Sequence, residues 1–406
     1  MSGITLGEKP IKRVSWGSQE IKKISLGNSL LWAAEDPDMS QANKTAIDGF
    51  TTAFMTQFKI PGVSFMISGP AGKYAKAFGT TAGRPLALGD HFRIGSITKI
   101  LVAEAIWEQI DKGTLHLTDT VEQYVPGLPS GNVITIRNLL QMTSGLYNEQ
   151  SNTTFMLNFV LNQQTAWSAG QTLALAKANP LSAPPGTKYA YTNSQYIVLG
   201  YVLEKVTNKP IRDIVLGVAQ RFGMTQTYWP TGGTIAPNSF PEPAVHGYGP
   251  NPMASIPIIQ WFVPAVTDQT AINPEIFACA GALVSTLADL QKLGEHIRDG
   301  TLLSTSSQAQ LLTTSNCIGV AQGAHGTEAP ARFGHGFGLI NLGEWWGHPG
   351  GINGYGTICF FHKPTGAVIV GLQNFSGLQI ESHLLPQIAQ RLYPGSMVEP
   401  SNYITL

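Results

Sequence analysis

A serine followed three residues later by a lysine, at the head of a long apolar run, is where chemistry first shows in this sequence: Ser96-Ile97-Thr98-Lys99. The run continues through Ile110 and Gly113 supplies a helix stop. Apolar residues Ile97, Ile100, Leu101, Val102, Ala105, Ile106 and Ile110 surround much of that helix, which predicts burial. A serine opening a buried helix sits at the positive end of the helix dipole. A lysine one turn on, on the same face, is costly to charge there, and burial lowers its pKa. Such an amine can take a proton from a serine hydroxyl. Alone, the pattern also fits an N-cap serine and a surface lysine.

About ninety residues on, a Pro184-Pro185-Gly186 turn leads into Tyr189-Ala190-Tyr191-Thr192-Asn193 and an apolar helix over 196–206. If the stretch is extended, Tyr191 and Asn193 point the same way. A phenol beside an amine can relay a proton, and a carboxamide can hold a substrate amide. The third element, Trp346-Gly347-His348-Pro349-Gly350-Gly351, has the glycine density that lets backbone approach a ligand, at the start of a predicted strand. A strand edge there can supply half of an oxyanion hole, the nucleophile's own N–H supplying the other half.

The elements that must position these residues follow a clear order. Asp36-Pro37-Asp38 breaks the chain, and Ser40 can cap a helix with the stripe Ile47, Phe50, Phe54 and Phe58. Strands are predicted over 62–68 and 74–79, and a hairpin over 357–361 and 367–372. Residues 1–35 differ in texture. Ile4, Val14 and Ile24 recur at a spacing of ten, as do Leu6, Trp16 and Leu26, and Gly7, Gly17 and Gly27. This predicts a small strand array that packs on a neighbour or on another copy, an assembly or anchoring element. It divides the chain into a 1–35 repeat and a 36–406 catalytic domain.

Bulk composition excludes several classes. Lys+Arg and Asp+Glu are both 25, so no net charge steers the 406-residue chain to nucleic acid or an anionic membrane. Charged residues are 12%, against about a quarter in ordinary domains, while 43% are hydrophobic, enough for a sizeable core. No run approaches the ~18 apolar residues of a membrane span, and residues 1–35 lack the layout of a secretory signal. The expected location is therefore cytoplasmic unless another device exports the chain. Cys279, Cys317 and Cys359 lack metal or disulfide spacing and read as buried thiols. His91, His116, His246, His296, His325, His335, His362 and His383 show no ligand spacing and read as surface or core residues. No metal or organic cofactor is expected.

The three elements together resemble the serine penicillin-recognising enzymes: class C β-lactamases, low-molecular-weight D-alanyl-D-alanine peptidases and related esterases. Three more phrases carry the resemblance: Ile134–Leu146 (with Met142 where the family usually has His), Phe222–Thr227 and Ala280–Leu290. The resemblance implies an α+β fold, an antiparallel sheet flanked by helices and built from both chain ends, with a mainly helical insertion at about 115–275. It implies that Ser96 is the nucleophile, Lys99 its base, Tyr191 the proton shuttle and Asn193 the group orienting substrate and Lys99. His348 takes the first position of the K-T-G box, Gly350 its last, and the Gly351 N–H completes the oxyanion hole. Neutral His348 in place of lysine weakens the expectation of carboxylate binding. Met142 is expected to be packing variation.

Three functions follow as expectations. The first is a D-Ala-D-Ala carboxypeptidase or peptidase on peptidoglycan stem peptides. The second is a broad esterase or weak β-lactamase. The third is a non-catalytic structural or cell-wall-binding protein. Residues 1–35 also resemble the glycine-punctuated segments of actinobacteriophage minor tail proteins, which implies a virion location and tail proteins, or further copies, as partners.

Overall fold

The computed structural model describes residues 36–161, 167–230, 241–255, 258–313 and 334–397, and beyond these only the backbone of short strands between 5 and 33, at 315–316 and at 333. Three antiparallel hairpins occupy the repeat: Thr5–Leu6 with Lys9–Pro10, Val14–Trp16 with Gln19–Ile21, and Lys23–Leu26 with Ser29–Ala33. Each successive hairpin corresponds to one ten-residue unit.

Helix α1 (Gln41–Phe58) starts at Ser40, whose Oγ accepts the Asn43 N–H, and buries Ile47 and Phe54 of the expected stripe. Strands β1 (Gly62–Ser68), β2 (Tyr74–Thr81) and β3 (Arg84–Pro85) follow. Helix α2 (Thr98–Asp111) comes next, and the insertion then carries α3 (Ile136–Leu140), α4 (Thr153–Val160), α5 (Ala169–Ala178), α6 (Asn193–Thr207) and α7 (Ile211–Arg221). Its last part, from 241, is built of short 3-10 turns and the strand pair Tyr248–Pro250 with Val266–Asp268. Proline and glycine there interrupt any helical run.

The chain then returns with α8 (Leu287–Asp299), α9 (Thr305–Leu311), β4 (Ser315–Asn316), β5 (Phe333–His335), β6 (Ile340–Leu342), β7 (Trp345–Ile352), β8 (Tyr355–His362), β9 (Val368–Gln373) and α10 (Leu385–Leu392). These strands form one antiparallel sheet in the order β4-β5-β6-β7-β8-β9-β1-β2-β3, so the chain ends meet where β9 pairs with β1.

Strands β8 and β9 are buried at every position, so their sequences show no polar alternation. Both faces are covered. Cys359 of β8 donates to the Leu290 carbonyl of α8 at 3.3 Å. Its neighbour Ile358 points to the other face, where Ile380 packs; a Cβ on Gly371 would lie 2.8 Å from Ile380 Cδ1 and 3.0 Å from Ile358 Cγ1. Gly294 allows α8 to sit this close, since a Cβ there would come within 2.7 Å of Val368 Cγ1.

Two expectations change. Tyr191 and Asn193 do not alternate along an extended stretch, because Asn193 is the first residue of α6. The His-Pro-Gly-Gly run does not start a strand; it lies in the second half of β7, paired from His348↔Cys359 to Gly351↔Gly356. Glycine disfavours strands in isolation, but pairing with the apolar β8 overrides that weak preference. Cys279 and Cys359 are buried thiols as expected, while Cys317 and His325 lie outside the described residues. Among the described residues no helix is long and apolar enough to cross a membrane.

Candidate active site

Ser96 sits in a 3-10 turn, Gly95–Ile97, that runs directly into α2. Gly95 has φ +49°, and a Cβ on it would approach the Gly351 carbonyl oxygen to 2.9 Å and its nitrogen to 3.0 Å. Gly350 is tighter still: its Cβ would lie 2.0 Å from the Ile94 carbonyl oxygen. Thr357 Oγ1 is within 3.0 Å of that oxygen and 3.2 Å of the Gly350 carbonyl, stitching the serine turn to β7. The glycines are thus what lets β7 lie against the turn that carries Ser96.

Lys99 follows one turn into α2 and is fully buried. Its Nζ contacts three oxygens: Ser96 Oγ at 2.9 Å, Asn193 Oδ1 at 2.8 Å and the Ala280 carbonyl at 2.8 Å. The last two can only accept. A neutral amine gives them its two hydrogens, and its lone pair is left facing Ser96. Burial pulls the Lys99 pKa from 10.5 to about 7, against an opposing pull from the Glu149 carboxylate. Tyr191 donates its phenol proton to Ser96 Oγ at 2.9 Å. Burial raises its pKa, so it stays a neutral phenol and a proton donor.

His348 is fully buried on β7, and its Nδ1 donates to the Pro349 carbonyl. That fixes the proton on Nδ1 and leaves Nε2 as a lone pair, which meets no partner among the described residues. Burial, then repulsion from Lys99 and His335, keeps the ring far below its ordinary pKa and neutral. His335 of β5 lies 6.2 Å, ring to ring, from both His348 and Tyr191. Burial lowers its pKa to about 3.

The seven residues singled out by sequence therefore converge. Ser96, Tyr191, Asn193, His348 and Gly351 line one cleft of about 700 Å³, with Lys99 bonded to Ser96 and Gly350 within β7 against the Ile94 carbonyl. The lining also includes the apolar Phe159, Phe277, Ile352 and Leu378 and the polar Asn148, Gln150, Gln269 and Asn353. Among the described residues no Asp, Glu, Lys or Arg lines it.

Three contributors escaped the motifs. His335 was read as an ordinary surface or core histidine; it is a core residue, but one beside Tyr191. The Ala280 carbonyl is invisible to a side-chain search. Glu149 carries no spacing signal and lies beyond the phrase that ends at Leu146. Met142 is fully buried with φ +57°, and its Sδ lies 3.2 Å from Gln195 Nε2, which agrees with a packing role.

An antiparallel sheet between helices, with serine, lysine and tyrosine meeting where a helical insertion joins it, defines the β-lactamase/transpeptidase-like class of serine hydrolases. The chain belongs to the beta-lactamase family, whose description matches residues 47–392. It is 26% identical over 303 residues to PbpX of Bacillus subtilis (strain 168), a penicillin-binding protein by name, covering 74% of this chain and 66% of that one. It is 27% identical over 149 residues to an Escherichia coli (strain K12) protein carrying the name D-alanyl-D-alanine carboxypeptidase, covering 34% of each. The chain thus spans less than two thirds of these relatives' lengths. Among solved structures, a D-stereospecific amidohydrolase from Streptomyces sp. superposes with a TM-score of 0.71 at 25% identity, over 86% of this chain and 98% of that one.

Proposed function

We propose that the chain hydrolyses an amide or ester through an acyl-enzyme on Ser96, and that the leaving side of the scissile bond carries no carboxylate. Lys99 takes the Ser96 proton as Oγ bonds to the acyl carbon. The N–H groups of Ser96 and Gly351 receive the developing oxyanion. Tyr191 protonates the leaving group and regains a proton from the Lys99 ammonium, and a water then releases the acyl group by the same path in reverse. The observation that carries this reading is the Tyr191–Ser96–Lys99 contact, two 2.9 Å hydrogen bonds converging on one hydroxyl, with Lys99 brought to about 7.

The described lining of the cleft carries no charged side chain, and this supports the substrate part. A carboxylate beside neutral His348 would lose hydration without gaining a cation. D-Alanyl peptides cleaved at an internal bond, amino-acid amides and esters fit better than a terminal D-alanine. Removal of a terminal D-alanine from stem peptides is the second reading, favoured by the names of the curated relatives. Two substrates separate them, a D-alanyl-D-alanine peptide ending in a carboxylate and the same peptide ending in a carboxamide. Faster turnover of the carboxamide supports the first reading, and faster turnover of the carboxylate supports the second. Loss of both in Ser96→Ala is required by either.

Residues 1–35 are proposed to anchor the catalytic body to an assembly, as a tail protein of a phage would. The support is the repeat itself and its one hairpin per unit.

A further inference from the structure

Glu149 is 1% exposed, in the short 3-10 turn Glu149–Ser151. Its Oε1 accepts from Asn193 Nδ2 at 2.9 Å. Its Oε2 accepts from the Ser194 amide at 3.2 Å and the Ser194 hydroxyl at 2.8 Å. It thereby caps α6, where Thr192 makes no side-chain cap. A carboxylate facing an amide only accepts, so the Asn193 nitrogen must turn toward Glu149 and its oxygen toward Lys99. The result is a chain of contacts, Glu149–Asn193–Lys99–Ser96, with the negative end buried one residue behind the amine.

We propose that Glu149 is a positioning residue for acylation: through Asn193 it aims the Lys99 lone pair at Ser96, and it supplies the counter-charge for the ammonium formed when the serine proton arrives. The inference rests on Ser96 as nucleophile and Lys99 as base. Nothing in the proton balance changes. The proton leaves Ser96 Oγ for Lys99 Nζ as the Oγ–acyl bond forms, and Glu149 itself neither gains nor loses one.

The readout is the acidic limb of kcat/KM. Lys99 faces Glu149 through Asn193, and also Cys279, Tyr191, Tyr196, His335 and His348. Of these, Glu149 is the acid whose charge raises the Lys99 pKa most. In Glu149→Gln, assayed as the full chain on p-nitrophenyl acetate, the limb moves to lower pH, on the order of one unit. At the same time kcat falls about 10- to 100-fold as the Asn193 amide loses its fixed orientation. Ser194→Ala removes one bond to Glu149 but leaves the Asn193 link, and its limb stays in place. Glu149→Asp keeps the charge with a shorter reach, so its limb stays while kcat drops. If Glu149 only caps α6, Glu149→Gln lowers the melting temperature and leaves the limb where it was, which overturns the proposal. A limb moved equally by Ser194→Ala overturns it as well. Should Glu149→Gln not fold, Glu149→Asp decides: a shifted limb or an unchanged kcat contradicts the assignment. Activity surviving in Ser96→Ala would instead defeat the underlying reading of nucleophile and base.

Discussion

The helical side of the cleft and its sheet side are built on different principles. On the helical side, Lys99, Asn193 and Glu149 form a buried polar chain in which a charge moves during the proposed reaction. On the sheet side, His348 and His335 are both held neutral and Gly350 and Gly351 present backbone. A general base needs a pKa near the working pH, and among the described residues of the cleft Lys99 has one. In the proposed reading, recognition rests on shape and complementary polarity, which the described residues of the sheet side offer without charge. On the proposed reading, chemistry and selectivity can be altered separately, one side at a time.

The largest test of that division is Tyr191→Phe, which removes the proton donor from the helical side and leaves the sheet side untouched. A loss of about 10³-fold in kcat is expected, with KM nearly unchanged, from steady-state kinetics on an activated ester and an amide. The amide should lose more, because its leaving group needs the proton. Equal losses would break the assignment of Tyr191 to the leaving group.

Next comes the join between the two sides. In Gly350→Ala the new methyl meets the Ile94 oxygen, so β7 or the Ser96 turn must shift. Activity should fall about 10²-fold and stability by about 1–3 kcal/mol, read by kinetics and by denaturant unfolding. Full activity would mean that the close packing of β7 on the serine turn is incidental.

A smaller change, confined to selectivity, is expected of His348→Lys. The new ammonium would give the sheet side a partner for a carboxylate. The ratio of kcat/KM for a peptide ending in carboxylate over its carboxamide should rise about tenfold. An unchanged ratio would show that selectivity is set elsewhere. The smallest effect belongs to deletion of residues 1–35. Ester turnover should be unaltered, while any self-association seen by light scattering should be lost.

How legible the molecule was depends on whether a feature is periodic, clustered or single. Ser96 and Lys99 could be read because an i, i+3 pair in an apolar helix is unusual, and both land within hydrogen-bond distance of each other. Strands β1 and β2 could be read from turns at Gly69 and Gly72 with positive φ. The full extent of β7 could not, because its glycines are tolerated only once β8 pairs with them. Glu149 and His335 were out of reach for a related reason: each is a lone residue brought to the site by tertiary folding, across 44 positions in the case of Glu149 and Asn193. The Ala280 carbonyl has no side-chain signature at all.

The central claim is that a neutral lysine amine near pH 7 activates Ser96. Its most direct test is the single-turnover rate of acyl-enzyme formation, followed by mass spectrometry of the Ser96 peptide across pH. The rate should fall tenfold per pH unit below about 7, as Lys99 protonates, and be flat above it. A rate still climbing toward the ordinary lysine value of 10.5, or an acyl group on a residue other than Ser96, would contradict the account.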